Sequence, residues 1–186
     1  MPDVTGVLLA AGQSERFGSN KLLAEIDHRA MILHAATALS PCEHLLAVVR
    51  PDDLPLQKLL TDASIGFVCN ENAGRGMGSS IACAVAASSD SLGWCLLPGD
   101  MPYIQPSTTQ RVAAALREGA AIAAPIYDGR RGHPVGFSNL FANELLALDG
   151  AAGARDIVEL HLDQFVTINC DDKAVLVDID TVEDLH

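Results

Sequence analysis

The feature that most constrains the fold of this chain is an apolar run near its amino terminus that breaks into a loop of small and polar residues. Residues 4–11 are of the kind that predicts a strand buried in a sheet. The following loop contains Gly12 and Gly18 and delivers two cations, Arg16 and Lys21. Glycine lets a backbone approach a ligand closely, free N–H groups cradle phosphate oxygens, and the cations supply charge. We therefore predict that this stretch binds a polyphosphate.

Two common phosphate-binding loops do not match this stretch. A P-loop has four residues between its glycines and then Gly-Lys-Ser/Thr, whereas five residues separate Gly12 from Gly18 here, and Lys21 comes later still. A dinucleotide fingerprint has Gly-x-Gly-x-x-Gly after the strand, and Gln13 and Ser14 follow Gly12. An ordinary strand-to-helix turn with solvated charges is the alternative interpretation.

The composition excludes several classes of function. A chain of 186 residues, 49% of them hydrophobic, suits one folded domain, which we predict to span residues 1–186. A net charge of −12 argues against a nucleic-acid partner, which normally requires a basic face. The amino terminus does not predict a signal peptide, and no apolar run approaches the roughly 18 residues of a membrane span. The scattered cysteines lack a Cys-x-x-Cys pair, so we expect reduced core thiols in a cytoplasmic protein.

Segments that predict strands alternate with segments that predict helices along the chain. The predicted strands are residues 4–11, 45–49, 65–68, 92–97, 120–126, 165–168 and 174–181. The predicted helices are residues 30–39, 54–60, 79–88, 107–117, 140–148 and 154–161. This alternation predicts a single-domain, Rossmann-like α/β fold with three layers, α/β/α, around a mostly parallel sheet.

A polar, glycine-rich segment, residues 70–80, leads into the alanine-rich helix predicted at residues 79–88. Ser79 or Ser80 can cap that helix, and the free N–H groups of its first turn could hold an anion or the edge of a base. The alternative is a flexible loop with an ordinary N-cap.

Asp100 follows the strongly apolar strand predicted at residues 92–97. Open α/β sheets bind ligands beyond the carboxyl ends of their strands, and carboxylate oxygen suits Mg²⁺. The alternative is a turn-forming or helix-capping aspartate. Arg131 and His133 belong to a second cationic cluster, after a hairpin signal at Asp128-Gly129. They either contact an acceptor substrate, or the arginine belongs to a solvated hairpin tip and the histidine is an ordinary turn residue with its hydrogen bonds satisfied.

Taken in order, these motifs resemble the MobA-like nucleotidyltransferases, and among them the molybdenum cofactor cytidylyltransferases most. The fold implied is of the nucleotide-diphospho-sugar transferase type. The motifs that carry the resemblance are Leu9-Ala10-Ala11-Gly12-x-Ser14-x-Arg16-Phe17-Gly18-x-x-Lys21, Gly76-Met77-Gly78-Ser79-Ser80, Pro98-Gly99-Asp100-Met101-Pro102, Arg131-Gly132-His133-Pro134-Val135 and Asp178-Ile179-Asp180-Thr181-Val182-Glu183-Asp184.

The resemblance implies a Mg²⁺-dependent reaction in which the phosphate of a molybdopterin attacks the α-phosphate of CTP and pyrophosphate leaves. It also implies the site residues. Arg16 and Lys21 would hold the triphosphate, and Asp100 would bind Mg²⁺ with Asp180 as the second carboxylate. Asp178 could replace Asp180, since residues two apart on a strand share a face. The nucleotide would contact Leu9, Ala10, Ala11, Gly12, Gly78, Ser79 and Ser80, and the pterin would face Arg131 and His133.

Other functions fit the same motifs. The chain could use GTP, act on another phosphorylated small molecule, or bind a nucleotide without turnover as an accessory protein of a molybdenum enzyme. A molybdenum hydroxylase is the expected recipient of the product. The side chain of Ala11, next to the nucleotide, is predicted to help select cytosine over guanine.

Overall fold

The computed structural model describes residues 3–12, 20–181 and 184. In chain order, its strands are β1 (Val4–Leu9), β2 (Glu25–Ile26), β3 (Arg29–Ala30), β4 (His44–Val49), β5 (Gly66–Cys69), β6 (Gly93–Pro98), β7 (Ile122–Tyr127), β8 (Arg130–Arg131), β9 (Val135–Ser138) and β10 (Phe165–Asn169). Within those ranges, eight strands form one sheet in the order β10-β7-β9-β6-β1-β4-β5, with β8 beside β7. The strands β2 and β3 form a separate antiparallel pair.

The sheet is mostly parallel, as predicted. Its central strand β1 pairs parallel with β4 and β6, and the β4–β5 and β7–β10 pairs are also parallel. Two strands are antiparallel: β8 pairs with β7, and β9 lies between β6 and β7 and was not predicted as a strand. The reason is the short connection from β7, because a parallel neighbour needs a crossover of a dozen or more residues. That connection contains the predicted hairpin, where Asp128 and Gly129 have φ values of 47° and 71°.

The helices are α1 (Met31–Ala38), α2 (Leu54–Asp62), α3 (Met77–Ala87), α4 (Pro106–Arg117), α5 (Ala142–Leu146) and α6 (Arg155–Leu160). Buried residues of α1, α2 and α4 form one apolar cluster with one face of the sheet, and those of α3, α5 and α6 form a second cluster with the other face. Successive side chains of β6 point to opposite faces of the sheet. Cys95 and Leu97 therefore belong to the first cluster, and Trp94 and Leu96 belong to the second. The predicted three-layer fold is confirmed.

Two predicted elements differ. Residues 174–181 were predicted as a strand, but Lys173–Leu176 is a 3₁₀ turn and no regular element follows it up to residue 181. The backbone bonds of this segment go to loops instead of a sheet: Ile179 N donates to Asp100 O at 2.9 Å, and Val175 O accepts from His133 N at 2.9 Å. The helix predicted at residues 79–88 begins at Met77 with Gly76 as its N-cap, so neither Ser79 nor Ser80 caps it.

No helix in the described part of the chain has the length and apolar character needed to cross a membrane.

Candidate active site at the carboxyl edge of the sheet

A cleft of about 400 Å³ opens where β1 and β6 end. Because both strands run in the same direction, their carboxyl ends meet at one edge, which is where open α/β sheets bind ligands. The residues that line the cleft are Leu9, Ala11, Gly12, Lys21, Leu22, Ala73, Gly74, Gly76, Met77, Ser80, Pro98 and Asp100. Residues of the first and third motifs therefore line the same cleft.

The turn after β6 places Asp100 in this cleft. Gly99 N donates to Leu9 O at 2.9 Å, so the chain leaving β6 stays against the end of β1. A Cβ at Gly99 would lie 3.2 Å from that same carbonyl oxygen, which is tighter than an ordinary contact. The glycine before the aspartate thus allows the close approach that directs Asp100 toward the cleft.

Lys21 lies opposite Asp100 and joins two carboxylates. Its Nζ donates to Asp100 Oδ2 at 2.7 Å and to Ile179 O at 3.0 Å, and it lies 3.3 Å from Asp180 Oδ1. Partial burial by itself lowers the pKa of Lys21, but the bonds and charges of Asp100 and Asp180 outweigh it and raise the pKa above its ordinary value. Lys21 is a permanent cation at the end of the cleft.

Three carboxylates converge beside this lysine. One oxygen from each of Asp100, Asp178 and Asp180 lies within 4.8 Å of the other two. Asp100 Oδ1 is buried and has no hydrogen-bond partner within the described ranges, although buried carboxylate oxygens normally have one. Hard oxygen ligands at this spacing suit Mg²⁺ or Mn²⁺, and the unpartnered oxygen is a ready ligand. The residues therefore fit the predicted metal, with Asp178 and Asp180 both in reach.

The glycine-rich segment is organised by Asn70, a residue that was not predicted. Its Nδ2 donates to Ser79 Oγ at 2.9 Å and Ser80 Oγ at 3.0 Å, and its Oδ1 accepts from Asn72 N at 2.9 Å. Asn70 is buried, so these bonds fix the entry to α3. The sequence signal was a polar residue, Asn70, two positions after the strand predicted at residues 65–68, where asparagine often forms turns.

Tight packing against the loop after α5 holds the other side of this segment. Gly78 N donates to Gly150 O at 2.9 Å, and a Cβ at Gly76 would come within 2.6 Å of Gly150 C. Arg75 and Asp149 form an ion pair at 2.7 Å between the same two loops. Gly78 and Ser79 thus stabilise the glycine-rich segment through their hydrogen bonds, whereas Ser80 lines the cleft.

A second cavity of about 220 Å³ adjoins the cleft and shares Leu9 and Met77 with it. Its remaining lining is Ile81, Leu96, Arg131, Gly132, His133, Val135, Ala152, Ala154, Arg155 and Val158. The two predicted acceptor residues, Arg131 and His133, therefore lie together in a cavity next to the cleft, and none of the three carboxylates lines that cavity. Arg155 was not predicted, because no motif at residues 154–161 distinguished it from an ordinary helical arginine.

His133 is held in this cavity as a neutral ring. Burial is the main cause that lowers the pKa of His133 below its ordinary value. A hydrogen bond with the Leu96 backbone and the charge of Asp100 raise the pKa, but by less. Its Nδ1 is buried and lacks a partner in the part of the chain that the structure describes. Gly132 permits this placement, since a Cβ there would lie 2.5 Å from Val175 O.

The remaining predicted residues are placed as follows. Ala10 is buried beneath the cleft, and its N–H donates to Val48 O at 2.9 Å. Leu9, Ala11 and Gly12 line the cleft itself. Arg16 lies outside the described residues.

The family model of the MobA-like NTP transferase domain matches residues 6–168, which includes the cleft, Lys21, Asp100 and the second cavity. The chain belongs to this family. The resemblance to MobA-like nucleotidyltransferases is thereby confirmed, and the sheet with its two helical layers is the fold of nucleotidyltransferases.

Two relatives align along nearly their whole length. The nicotine blue oxidoreductase of Paenarthrobacter nicotinovorans is 28% identical over 197 aligned residues, covering 100% of this chain and 96% of the relative. The purine catabolism protein PucB of Bacillus subtilis is 29% identical over 196 aligned residues, covering 98% and 94%. Among solved structures, Rv0371c of Mycobacterium tuberculosis has a TM-score of 0.84 and 25% identity, covering 98% of this chain and 95% of that one. Rv0371c has also been solved in complex with manganese.

Proposed function

We propose that this protein is a Mg²⁺-dependent nucleotidyltransferase that transfers CMP from CTP to the phosphate of a molybdopterin and releases pyrophosphate. The observation that carries the proposal is one wall of the cleft, where Lys21 contacts Asp100 and Asp180 and Asp178 lies within ligand distance. Such a wall fits a triphosphate with its metal, and the adjacent cavity fits an acceptor. The proposed setting is the cytoplasm, with a molybdenum hydroxylase as the recipient of the product.

The nucleotide occupies the cleft in this proposal. Leu9, Ala11, Gly12 and Ser80 line it, and Ala10 supports it from below. Lys21, together with Arg16, offsets the charge of the triphosphate. Nucleotidyl transfer, like phosphoryl transfer, depends chiefly on positioning and charge stabilisation, so fixed cations and a shaped cleft are what the protein has to provide.

Asp100 and one of the two exposed aspartates would hold the metal, with Asp180 favoured because it already shares Lys21 with Asp100. When bound, a divalent ion neutralises phosphate charge and stabilises the leaving pyrophosphate. Lys21 then supplies its charge to the triphosphate instead of to the carboxylates. The manganese complex of Rv0371c supports a divalent ion in this fold, and Mg²⁺ is our choice for this chain.

The acceptor would occupy the second cavity, with its pterin against Arg131 and His133. Because this cavity shares Leu9 and Met77 with the cleft, a phosphate of the acceptor can reach the α-phosphate of CTP across a short boundary. A half-buried His133 with a lowered pKa and a buried Nδ1 suits hydrogen bonding to a heterocycle better than charge pairing.

Pyrophosphate release tests this proposal. Wild-type protein with Mg²⁺ and molybdopterin should release pyrophosphate from CTP and much less from GTP. A preference for GTP would make it a guanylyltransferase, and release only with another phosphorylated acceptor would replace the pterin. Nucleotide binding without release, whatever the acceptor, would indicate an accessory protein. One relative is named an oxidoreductase, so the same protein should also be tested for oxidation of NADH or NADPH in the presence of nicotine blue. We expect no such oxidation.

The variant Ala11→Gly tests the choice of base. Ala11 lines the cleft and is buried, so its methyl group narrows the space open to the nucleotide. We expect the ratio of kcat/KM for CTP to that for GTP to fall by about 10-fold, the effect of one methyl group in a selective pocket. An unchanged ratio would show that Ala11 does not contribute to selection.

A further inference from the structure

The second cavity carries more positive charge than a pterin alone requires. Two of its lining side chains are arginines from different elements: Arg131 ends β8, and Arg155 is the first residue of α6. The topology brings them to one cavity although 23 residues separate them in the sequence. Two guanidinium groups on one small cavity are typical of a site for an anion with several oxygens.

Arg131 has no counter-ion within the part of the chain that the structure describes. It is partly buried, and burial is the main cause that lowers its pKa. Among the described residues, its guanidinium forms neither an ion pair nor a hydrogen bond, although Glu159 acts on it from a distance. Removing a guanidinium from water without a partner is costly, so a bound anion would relieve that cost.

Arg155 has a partner that an anion can replace. Its Nε donates to Glu159 Oε1 at 2.8 Å, one turn along α6. The two side chains are 72% and 53% exposed, and exposed pairs of this kind contribute little stability. The bond uses only one of the five N–H groups of the guanidinium, so the others can meet a ligand.

His133 supplies a further group at the same cavity. Its Nδ1 is buried without a partner in the described ranges, and it can donate a hydrogen bond when that nitrogen carries the proton. The cavity thus presents two guanidinium groups and one unpartnered imidazole nitrogen to whatever fills it.

We propose that Arg131 and Arg155 form a phosphate subsite for a phosphomonoester acceptor, and that Glu159 competes with the acceptor for Arg155. The inference rests on the proposed function, which it deepens by assigning the group that holds the attacking phosphate. Two guanidinium charges match a phosphomonoester dianion. The lining of the cavity includes both arginines and none of the three carboxylates, so the acceptor phosphate is held by cations and not by the metal ligands.

Steady-state kinetics test this assignment through effects of opposite sign. Arg155→Gln and Arg131→Gln should each raise the KM for molybdopterin about 10-fold, because each loses charge-assisted hydrogen bonds, and leave the KM for CTP unchanged. Glu159→Gln should lower the KM for molybdopterin about 2-fold, since it removes the competitor of the ligand. Arg155→Lys should keep part of the wild-type affinity.

Lys58→Gln is the matched control, because Lys58 pairs with Asp62 at the same helical spacing on α2, away from both cavities. It should leave both KM values unchanged. An unchanged molybdopterin KM in Arg155→Gln would overturn the subsite. So would Glu159→Gln, if it raised that KM as the arginine variants do.

A binding measurement separates the subsite from the proposed reaction. Calorimetry without CTP compares the monophosphate ester of a hydroxymethylpterin with the free alcohol. Wild-type protein should bind the ester about 10-fold more tightly, and Arg155→Gln should lose that advantage. Equal affinities in the wild type would overturn the subsite even if CMP transfer occurs. An advantage for the ester without any CMP transfer would keep the subsite and refute the proposed function.

Discussion

The two ends of β1 and β6 differ in how their charged groups are paired. At the amino end, Glu43 accepts from Val4 N at 2.9 Å and from Arg117 at 2.5 Å, and the hydroxyls of Thr5 and Ser91 lie 2.6 Å apart. At the carboxyl end, Asp100 Oδ1 and His133 Nδ1 are buried without partners in the described chain. Both ends carry a cavity, of about 360 Å³ and 400 Å³ respectively.

This comparison shows that the size of a cavity does not identify the site. The amino end has nearly the same volume, but Asp3 and His44 on its lining pair with each other and Asp90 is exposed to water, so none of these groups requires a ligand. Its unpartnered buried oxygen, Ser138 Oγ, belongs to a neutral hydroxyl, which is far less costly to bury than a carboxylate. The unpartnered atoms of Asp100 and His133 are the reason that we propose the carboxyl end as the functional one. Changes there should alter activity, and changes at the amino end should alter stability.

The largest effect is expected for Asp100→Asn. Removing a carboxylate that would hold the metal, and with it the charge that offsets the reacting phosphates, should lower kcat for pyrophosphate release about 10³-fold. The melting temperature should stay near that of the wild type, because the amide oxygen of Asn can still accept from Lys21 Nζ and the Oδ1 position has no protein partner in the described ranges. Asp62→Asn, an exposed carboxylate on α2, is the control and should retain activity. Wild-type rates in Asp100→Asn would refute its assigned role.

A smaller effect, on stability and not on activity, is expected at the amino end for Thr5→Val. This change preserves shape but leaves the hydroxyl of Ser91 unpaired in a buried place, so the free energy of unfolding should fall by about 1–2 kcal/mol. Activity per folded molecule should not change. The double variant Thr5→Val with Ser91→Ala should recover part of the loss when both are measured by denaturant unfolding. Lost activity in folded Thr5→Val would remove the distinction between the two ends.

The smallest effect concerns pH and Glu43. Burial alone would raise the pKa of this carboxyl, but backbone N–H bonds and Arg117 lower it below its ordinary value. A depressed folded-state pKa gives stability that is present above the unfolded value, about 4.3, and is lost as the pH falls through the folded value. Because Glu43 is partly exposed, we expect about 0.5 kcal/mol. Glu43→Gln should therefore flatten the stability curve below about pH 4.5. An unchanged acid slope would contradict the pairing.

The layers, the parallel sheet and the cleft could be predicted because they follow from local patterns. Apolar runs that alternate with amphipathic segments determine the layers, and the carboxyl ends of parallel strands determine the edge at which Asp100 lies. The final segment could not be predicted from propensity. Its apolar residues suited a strand, but its backbone bonds to Asp100 and His133 instead. Those partners lie far away in the sequence, as does the loop at Gly150 that supports Gly78.

Arg155 illustrates the same limit at the level of chemistry. Its place in the second cavity depends on how the loop after α5 packs against Met77, where a Cβ at Gly153 would lie 3.2 Å from the Met77 sulfur. No spacing in the sequence records that contact. Asp178 and Asp180 are the converse case. Their spacing left both as candidates for the second metal ligand, and in the structure both have an oxygen within 4.8 Å of one from Asp100.

Binding of Mn²⁺ in the presence of CTP, followed by electron paramagnetic resonance, tests whether Asp100 helps to hold a divalent metal at the carboxyl end of the sheet. We predict that the wild-type protein and Asp62→Asn sequester one Mn²⁺ per chain, and that Asp100→Asn weakens this binding at least 10-fold. The same titration with Asp178→Asn and Asp180→Asn identifies the second ligand. Equal Mn²⁺ affinity in Asp100→Asn and the wild type would contradict the account of the carboxyl end.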